Sequence, residues 1–250
     1  MTLYDEIGAT YGSFRQADPR LAASIRDALG DARSVVNVGA GTGSYEPADL
    51  EVTAVEPSEV MIAQRPPGSA PAVQAVAEEL PFADGSFDAA MAIMTLHHWS
   101  DVERGLRELV RVARRRVVVL TFEPEAWREL WIVRDYLPEI MDERAPSFPS
   151  PGRVLEVLPS ATVDVVPAPA DCTDLMFATL WARPELYLDP QVRAATSVWH
   201  ELPPEVAARA LAALRRDLES GAWDERYGVL RTTPELDVGF RLVRAELRQS

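Results

Sequence analysis

The feature that most constrains the fold is a glycine-rich loop that directly follows a short apolar run. Residues 34–38, SVVNV, are apolar enough for a buried strand, and residues 39–43, GAGTG, follow at once. A second apolar run, residues 51–55, ends beside Glu56. Glycine adopts backbone angles that other residues avoid, and its missing side chain lets a ligand touch the main chain. The pattern therefore predicts a strand–loop–strand unit that holds a ligand against its backbone.

Strand and helix patterns alternate through the first half of the chain. Strands are expected over residues 34–38, 51–55, 70–77, 87–94 and 116–122. Helices are expected over 20–29, 58–64 and 100–115, the last two capped by Ser58 and Ser100. This alternation is typical of a parallel sheet wound with helices on both faces. Such sheets bind ligands at the C-terminal ends of their strands, where the glycine loop and Glu56 fall.

The second half of the chain reads as mainly helical. We expect helix over 124–143, 153–159 and most of 172–222, with strands at 161–170 and 235–247 and a proline-rich break at 145–152. Many aromatic residues concentrate here, and they fit either ordinary core or the walls of a substrate pocket. They are Trp127, Trp131, Tyr136, Phe177, Trp181, Tyr187 and Trp199.

Composition limits the possible functions. The chain has 250 residues, 47% of them hydrophobic, which suits one domain with a substantial core. Its net charge of −14 disfavours nucleic-acid binding, which depends on lysine and arginine. A single Cys172 excludes an intramolecular disulfide, and adjacent histidines do not form a zinc-binding helical pair, so no metal is expected. Without a signal peptide or an apolar run of about 18 residues, we expect a soluble, cytoplasmic protein that does not bind membranes.

The carboxylate of Glu56 indicates the kind of ligand. It follows Gly39, the first glycine, by 17 residues (56 − 39) and can accept two hydrogen bonds from vicinal ribose hydroxyls. Amide groups of the loop are expected to form a polar cradle at the start of a following helix. A dinucleotide-binding loop has glycine or alanine in its sixth place, which is Ser44 here. The loop therefore favours a nucleoside ligand without a pyrophosphate.

Four segments carry a family resemblance. In order they are VVNVGAGTG, AVEPSEVM, AVAEELPFADGSFDAAMAIMTLHHWSD and RVVVLTF. They resemble class I S-adenosylmethionine-dependent methyltransferases, most closely the small-molecule branch that includes ubiquinone and menaquinone biosynthesis enzymes. The resemblance implies an α/β fold, a doubly wound, Rossmann-like, seven-stranded sheet whose last strand is antiparallel, with a helical cap. It implies one methyltransferase domain: lid helices at 1–29, the cofactor core at 30–122, a cap with the sixth strand at 123–234 and the last strand at 235–250.

The resemblance also implies which residues bind the cofactor. Gly39, Ala40 and Gly41 would lie beside the methionine moiety of S-adenosylmethionine, and Glu56 would hold the ribose. The remaining expected contacts are Gly43 in the same loop, Pro57 and Met61 flanking the adenine, Ala77 and Glu78 at the adenine edge, Met94 and Thr95 beneath the sulfonium, and Tyr11 and Arg15 on the lid.

Two positions depart from the family pattern. Asn37 stands where the first strand usually carries an acid, and Val76 stands where an aspartate often contacts the adenine amine. Either loss costs about 1–3 kcal/mol of cofactor binding if nothing compensates for it.

Methyl transfer is an in-line displacement, so the enzyme mainly aligns the reactants and excludes water. A base is needed only where the acceptor loses a proton. His97 is the predicted base and His98 the second candidate, with packing as the alternative for both. The aromatic cap favours a small apolar or aromatic acceptor. Two other functions stay open: an NAD-dependent dehydrogenase and a non-catalytic protein that binds S-adenosylmethionine.

Overall fold

The computed structural model describes residues 16–143 and 148–247. The strands of this part are β1 (Ser34–Val38), β2 (Glu51–Val55), β3 (Ala72–Val73), β4 (Phe87–Ile93), β5 (Ala113–Phe122), β6 (Thr162–Val165), β7 (Ala168–Pro169), β8 (Glu235–Leu236) and β9 (Phe240–Glu246). Its α-helices are α1 (Pro19–Leu29), α2 (Glu59–Ala63), α3 (Val102–Val112), α4 (Pro124–Glu129), α5 (Glu139–Glu143), α6 (Pro151–Val157), α7 (Pro190–Ala194), α8 (Ser197–Glu201), α9 (Pro204–Ser220) and α10 (Ala222–Tyr227). Short 3₁₀ or π turns lie at Leu96–His98, Ile132–Tyr136, Phe177–Leu180, Pro184–Leu188 and Gly228–Thr232.

A seven-stranded sheet organises the fold, in the order β3-β2-β1-β4-β5-β9-β6. Strands β1 to β5 pair in parallel, whereas β9 is antiparallel to both of its neighbours. The predicted sheet with an antiparallel last strand is confirmed. The central strands β1 and β4 are almost wholly buried because helices and loops cover both faces of the sheet.

Each face of the sheet carries its own layer of apolar side chains. Helix α1 packs Leu21, Ile25 and Leu29 on the face that also receives the cap. Helix α3 packs Leu106 and Leu109 on the opposite face. The layers alternate along the strands because successive strand residues point to opposite faces.

Hydrogen bonds accepted by one carboxylate join α1 to the cap. Asp18 caps α1 by accepting from the backbone of Arg20, and it also accepts from the Thr173 N–H at 3.0 Å. Burial alone would raise the pKa of Asp18, but hydrogen bonds from Arg20 and Thr173 hold it well below its ordinary value. Asp18 is fully buried, so it stays ionised only while these partners remain in place.

Several elements differ from the sequence prediction. The third strand covers only Ala72–Val73, at the sheet edge, instead of 70–77. Helix α3 is capped by Asp101 and not by Ser100, because the Ser100 hydroxyl donates to Glu78 instead. The last predicted strand is divided at Gly239 (φ +93°): β8 pairs with β7 in a separate small sheet, and β9 begins after the glycine.

The connection between β1 and β2 contains turns and no helix over residues 39–50. The predicted helix after the glycine loop is therefore wrong. The connection has twelve residues (39–50), about the minimum for a crossover that carries a helix, and the glycine loop takes up five of them (39–43), which leaves seven (12 − 5) for any helical segment.

The predicted helix over 124–143 is also broken, into α4, a π turn at Ile132–Tyr136 and α5. Its aromatic residues pack into the core, with the Trp131 ring 5.5 Å from Tyr187 and 5.2 Å from Trp223. Within residues 16–143 and 148–247, no helix has both the length and the apolar surface needed to cross a membrane.

Gly105 provides a test of packing between α3 and the loop that precedes it. A Cβ at this buried position would lie 2.4 Å from Cε3 of Trp99. We expect G105A to lower the free energy of unfolding by about 1–3 kcal/mol, despite the better helix propensity of alanine, because the indole ring has to move. Urea denaturation measures the change.

The matched control for this substitution is G152A. Gly152 also lies within a helix, but the nearest atom to its Cβ would be the Ser150 hydroxyl at 3.5 Å, an ordinary contact. Stability equal to or above that of the wild type is expected there. Equal stability of both variants would contradict the packing described for Trp99.

Candidate active site

A cavity of about 460 Å³ lies at the C-terminal ends of β1, β2 and β4. Loops that follow these strands form its walls, as expected for ligand sites in parallel sheets. Its lining comprises Asn37, residues 39–42, Ser44 and Tyr45; Glu56, Pro57, Ser58 and Met61; residues 76–78; Ile93, Met94 and Thr95; residues 98–100; and Glu201 from the cap.

Gly39 brings the first loop against the loop that follows β4. Its φ is +72°, a left-handed angle that favours glycine. A Cβ there would lie 2.0 Å from Oγ1 of the buried Thr95. Position 39 therefore requires glycine, because the two loops that line the cavity approach each other too closely for a side chain.

Four amide groups of the glycine loop donate to acceptors within the protein. Gly39 N–H and Ala40 N–H both donate to the carbonyl oxygen of Val55, at 2.9 and 3.0 Å. Gly41 N–H donates to Oε2 of Glu56 at 2.8 Å, and Gly43 N–H to the Ala40 carbonyl at 2.9 Å. The predicted cradle of amides is therefore wrong. These four groups hold the loop in shape.

Glu56 is buried, with 8% of its surface exposed, yet it lines the cavity. Besides Gly41, the backbone N–H of Ser58 donates to it, to Oε1 at 3.0 Å. Each carboxylate oxygen has two lone pairs, so both retain the capacity to accept another hydrogen bond. The side chain is thus held rigidly and remains able to accept from two neighbouring hydroxyls.

Asn37, the residue that replaces the usual acid, also lines the cavity and is 4% exposed. Its Nδ2 donates to Oε1 of Glu46 at 3.1 Å, whereas its Oδ1 is buried and has no hydrogen-bond partner among the described residues. A buried acceptor without a partner costs about 1–3 kcal/mol. A ligand with an N–H or O–H donor would recover that cost.

The opposite wall carries a second carboxylate and a strained backbone. Burial raises the pKa of Glu78, but hydrogen bonds from Asp101 N–H and the Ser100 hydroxyl, both 2.9 Å, bring it below its ordinary value. Met94 has a φ of +54° and is the one non-glycine residue of the described chain with a positive φ. Such strain persists where the surroundings impose it, often beside a ligand.

Most of the predicted site residues line this one cavity. They are Gly39, Ala40, Gly41, Glu56, Pro57, Met61, Ala77, Glu78, Met94 and Thr95. Gly43 is not among the lining residues; a Cβ there would lie 3.1 Å from both Arg65 Nη1 and Glu46 Oε2. Tyr11 and Arg15 lie outside the described residues.

The two histidines are placed differently. His98 lines the cavity. His97 does not, and its ring packs against Phe148 and Phe122, with centroids 5.1 and 6.2 Å away. The role of His97 as a base stays a prediction.

The sequence prediction missed several lining side chains, among them Tyr45, Trp99 and Glu201; the others are Thr42, Ser44, Ser58, Ile93 and Ser100. Tyr45 is buried and its hydroxyl donates to Asp174 in the cap at 2.8 Å. An aromatic two residues beyond the last loop glycine was a usable local signal for Tyr45, whereas nothing near Glu201 in the sequence connects it with this edge of the sheet. The seven aromatic residues singled out in the cap are absent from the lining, which favours their role as core.

Comparisons with known proteins agree with this geometry. The chain matches a methyltransferase domain family over residues 36–121. A crystal structure from Anabaena variabilis ATCC 29413, described as a candidate methyltransferase from an antibiotic biosynthesis pathway, is 30% identical and has a TM-score of 0.82, covering 94% of this chain and 99% of that one.

Two further matches are more distant. A candidate histamine N-methyltransferase from Thermotoga maritima, described as S-adenosylmethionine-dependent, is 18% identical with a TM-score of 0.56, covering 98% of this chain and 95% of that one, and shows the fold. The uncharacterized protein YafE of Escherichia coli (strain K12) is 38% identical over 63 residues, which are 24% of this chain and 30% of YafE. The match therefore spans less than a third of the length of that curated relative.

The chain belongs to the class I S-adenosylmethionine-dependent methyltransferases. The cavity fits their cofactor: Glu56 can accept from a ribose, the orphaned Asn37 oxygen can accept from an N–H group, and a Cβ at Gly39 would collide with Thr95 in the cavity wall. The family assignment sets aside the dehydrogenase that the sequence left open. The narrower placement in the quinone-biosynthesis branch stays a prediction.

Gly39 gives the sharpest test of the cavity geometry. G39A combines a left-handed backbone angle with a collision against Thr95, so we expect it to lower the free energy of unfolding by at least about 2 kcal/mol and to abolish measurable binding of S-adenosylhomocysteine. Urea denaturation and isothermal titration calorimetry measure the two effects.

G68A is the control because Gly68 also has a positive φ (+86°), but no atom lies within 4 Å of its Cβ position. It should cost about 1–2 kcal/mol of stability through backbone strain alone and leave cofactor binding unchanged. Identical behaviour of the two variants would contradict the close approach at Gly39.

Proposed function

We propose that this enzyme methylates a small, uncharged, apolar or aromatic molecule. The observation that carries the proposal is the cavity at the strand ends, which combines the glycine loop and Glu56 with apolar walls from Tyr45 and Trp99. A cavity of about 460 Å³ falls in the range of small-molecule sites. The Anabaena relative, described as part of an antibiotic biosynthesis pathway, supports a specialised small molecule as acceptor.

The charge of the cavity disfavours an anionic acceptor. Glu56, Glu78 and Glu201 contribute carboxylates to the lining, and no arginine of the described chain contributes to it. An anionic acceptor would meet like charges at these carboxylates. The net charge of −14 also disfavours RNA and DNA as acceptors.

We assign the binding roles as follows. Glu56 accepts from the ribose hydroxyls, because its carboxylate is fixed by Gly41 and Ser58 and keeps free lone pairs. Residues 39–41 and Asn37 face the amino-acid end of the cofactor. Pro57, Met61, Ala77 and Glu78 surround the adenine, and Met94 with Thr95 lies beneath the sulfonium.

When bound, S-adenosylmethionine supplies a methyl group on a positively charged sulfur. The residues of the chain then have two tasks, alignment and exclusion of water. The rigid loops at Gly39 and Met94 fix one partner, and the apolar rings of Tyr45 and Trp99 restrict water. For an acceptor hydroxyl that loses a proton, His98 is the better placed imidazole because it lines the cavity.

Calorimetry with the unmodified ligands tests the cofactor assignment. S-adenosylhomocysteine should bind and NAD should not.

E56Q should weaken S-adenosylhomocysteine binding about 10- to 100-fold, because glutamine cannot accept from both backbone N–H groups and two hydroxyls. E59Q changes a neighbouring exposed carboxylate at the start of α2 and should bind within about twofold of the wild type. Comparable losses in both variants would contradict the role of Glu56.

A methyl-transfer screen tests the acceptor class. The protein is incubated with S-adenosylmethionine that carries a labelled methyl group and with a library of uncharged phenols, quinols and hydroxylated polyketides, matched to carboxylated analogues. We expect label in an uncharged compound and at least about tenfold less in its carboxylated analogue. Label found only in RNA or protein would contradict the proposal. Cofactor binding without transfer to any acceptor would favour the non-catalytic alternative.

A further inference from the structure

A buried ion pair lies beside the glycine loop, outside the residues assigned to the cofactor. Arg65 Nη2 and Glu46 Oε2 are 2.6 Å apart, and the two side chains are 5% and 9% exposed. Arg65 also donates to the carbonyl oxygens of Gly41 and Ala70, both at 3.2 Å. Burying such a pair contributes little stability compared with apolar side chains of similar size. A role in shaping the site explains its presence better than stability does.

The other carboxylate oxygen of Glu46 accepts a hydrogen bond from the side-chain amide of Asn37. Nδ2 of Asn37 donates to Oε1 of Glu46 at 3.1 Å. An ionised carboxylate can only accept hydrogen bonds, so it pairs with the NH₂ end of an amide and not with its oxygen. Glu46 thereby decides which end of the Asn37 amide is left without a protein partner in the described part of the chain. That end is Oδ1, which is buried and has no partner among the described residues.

We propose that Glu46 is a positioning residue that turns the Asn37 amide so that its oxygen accepts a hydrogen bond from the cofactor ammonium group. The inference rests on the cofactor assignment proposed above. The ammonium is the N–H donor at the amino-acid end of the cofactor, and Asn37 lies two residues before Gly39, where that end is assigned. Arg65 keeps the carboxylate of Glu46 in place and balances its charge.

The same arrangement explains why this chain has an amide where related enzymes usually have an acid. A carboxylate at position 37 would face Glu46 Oε1 across the 3.1 Å now spanned by a hydrogen bond. Two carboxylates at that distance cannot both ionise without a large cost. In this chain the negative charge therefore sits on the loop, at Glu46, and the strand carries the neutral partner.

The decisive variant is E46Q. The introduced glutamine keeps the hydrogen bond from Arg65 by presenting its oxygen to the guanidinium, which leaves its NH₂ group facing Asn37. The Asn37 amide then turns its oxygen toward that NH₂ group and presents a donor to the cavity. We expect S-adenosylhomocysteine to bind about tenfold or more weakly, and 5′-methylthioadenosine, which lacks the amino acid, to bind within about twofold of the wild type. Isothermal titration calorimetry on the full chain measures both ligands.

The exchange variant N37D/E46Q is the matched rescue. Its glutamine on the loop can donate to the aspartate on the strand and accept from Arg65, so the number of hydrogen bonds and the net charge equal those of the wild type. We expect its affinity for S-adenosylhomocysteine to return to within about fivefold of the wild type, whereas N37D alone stays weak at neutral pH. N37A leaves the Glu46–Arg65 pair intact and removes the acceptor, so it tests the contact independently of how E46Q folds.

The outcomes separate cleanly. If E46Q weakens the binding of both ligands equally, Glu46 only maintains the shape of the loop. If E46Q or N37A leaves the affinity for S-adenosylhomocysteine unchanged, the amide oxygen makes no contact with the ammonium group. Either result overturns the proposal. Failure of the wild type to bind S-adenosylhomocysteine would overturn the cofactor assignment, and this inference with it, and is recognised before any variant is made.

Discussion

The site depends on the way the ends of β1 and β2 are tied together. One carbonyl oxygen, of Val55, accepts from two consecutive loop amides, and the next side chain, Glu56, accepts from a third at Gly41. Because these bonds join neighbouring parallel strands just where the sheet ends, the loop cannot move without breaking the pairing beneath it. The carboxylate assigned to the ribose is a structural part of the loop as well as a ligand-binding group. In this enzyme these three loop amides stabilise the loop and are not free to donate hydrogen bonds to a ligand.

That constraint explains what could be predicted from the sequence. The strands SVVNV and EVTAV, the loop GAGTG and Glu56 lie close together along the chain, and their apolar and glycine patterns indicate buried strands and a tight turn without reference to other segments. The seven-stranded sheet and its antiparallel last strand followed from the resemblance and not from local patterns, since β9 pairs with β5 across more than a hundred residues. The ends of helices were less predictable where a polar side chain had two possible hydrogen-bond partners. The Ser100 hydroxyl donates to Glu78, and Asp101 caps α3 in its place.

The features that escaped prediction depend on contacts between distant positions. Glu46 and Arg65 read separately as an ordinary loop acid and an arginine at the end of a short helix, yet they form one buried pair that faces Asn37. Glu201 reaches the cavity from a cap whose path the local sequence does not reveal. The aromatic residues of the cap have a composition equally suited to core and pocket, and only the structure distinguishes the two, by their packing in the core and their absence from the cavity lining.

The carboxylate of Asp18 has a consequence for how the molecule comes apart. It is fully buried and bound both to the first turn of α1 and to the backbone of Thr173, so separating the cap from α1 would break one of its four hydrogen bonds, the one from Thr173. Sheet, α1 and cap also share one apolar core, so their stabilities are coupled. Loosening of the second half of the chain on heating is tied in this way to melting of the first.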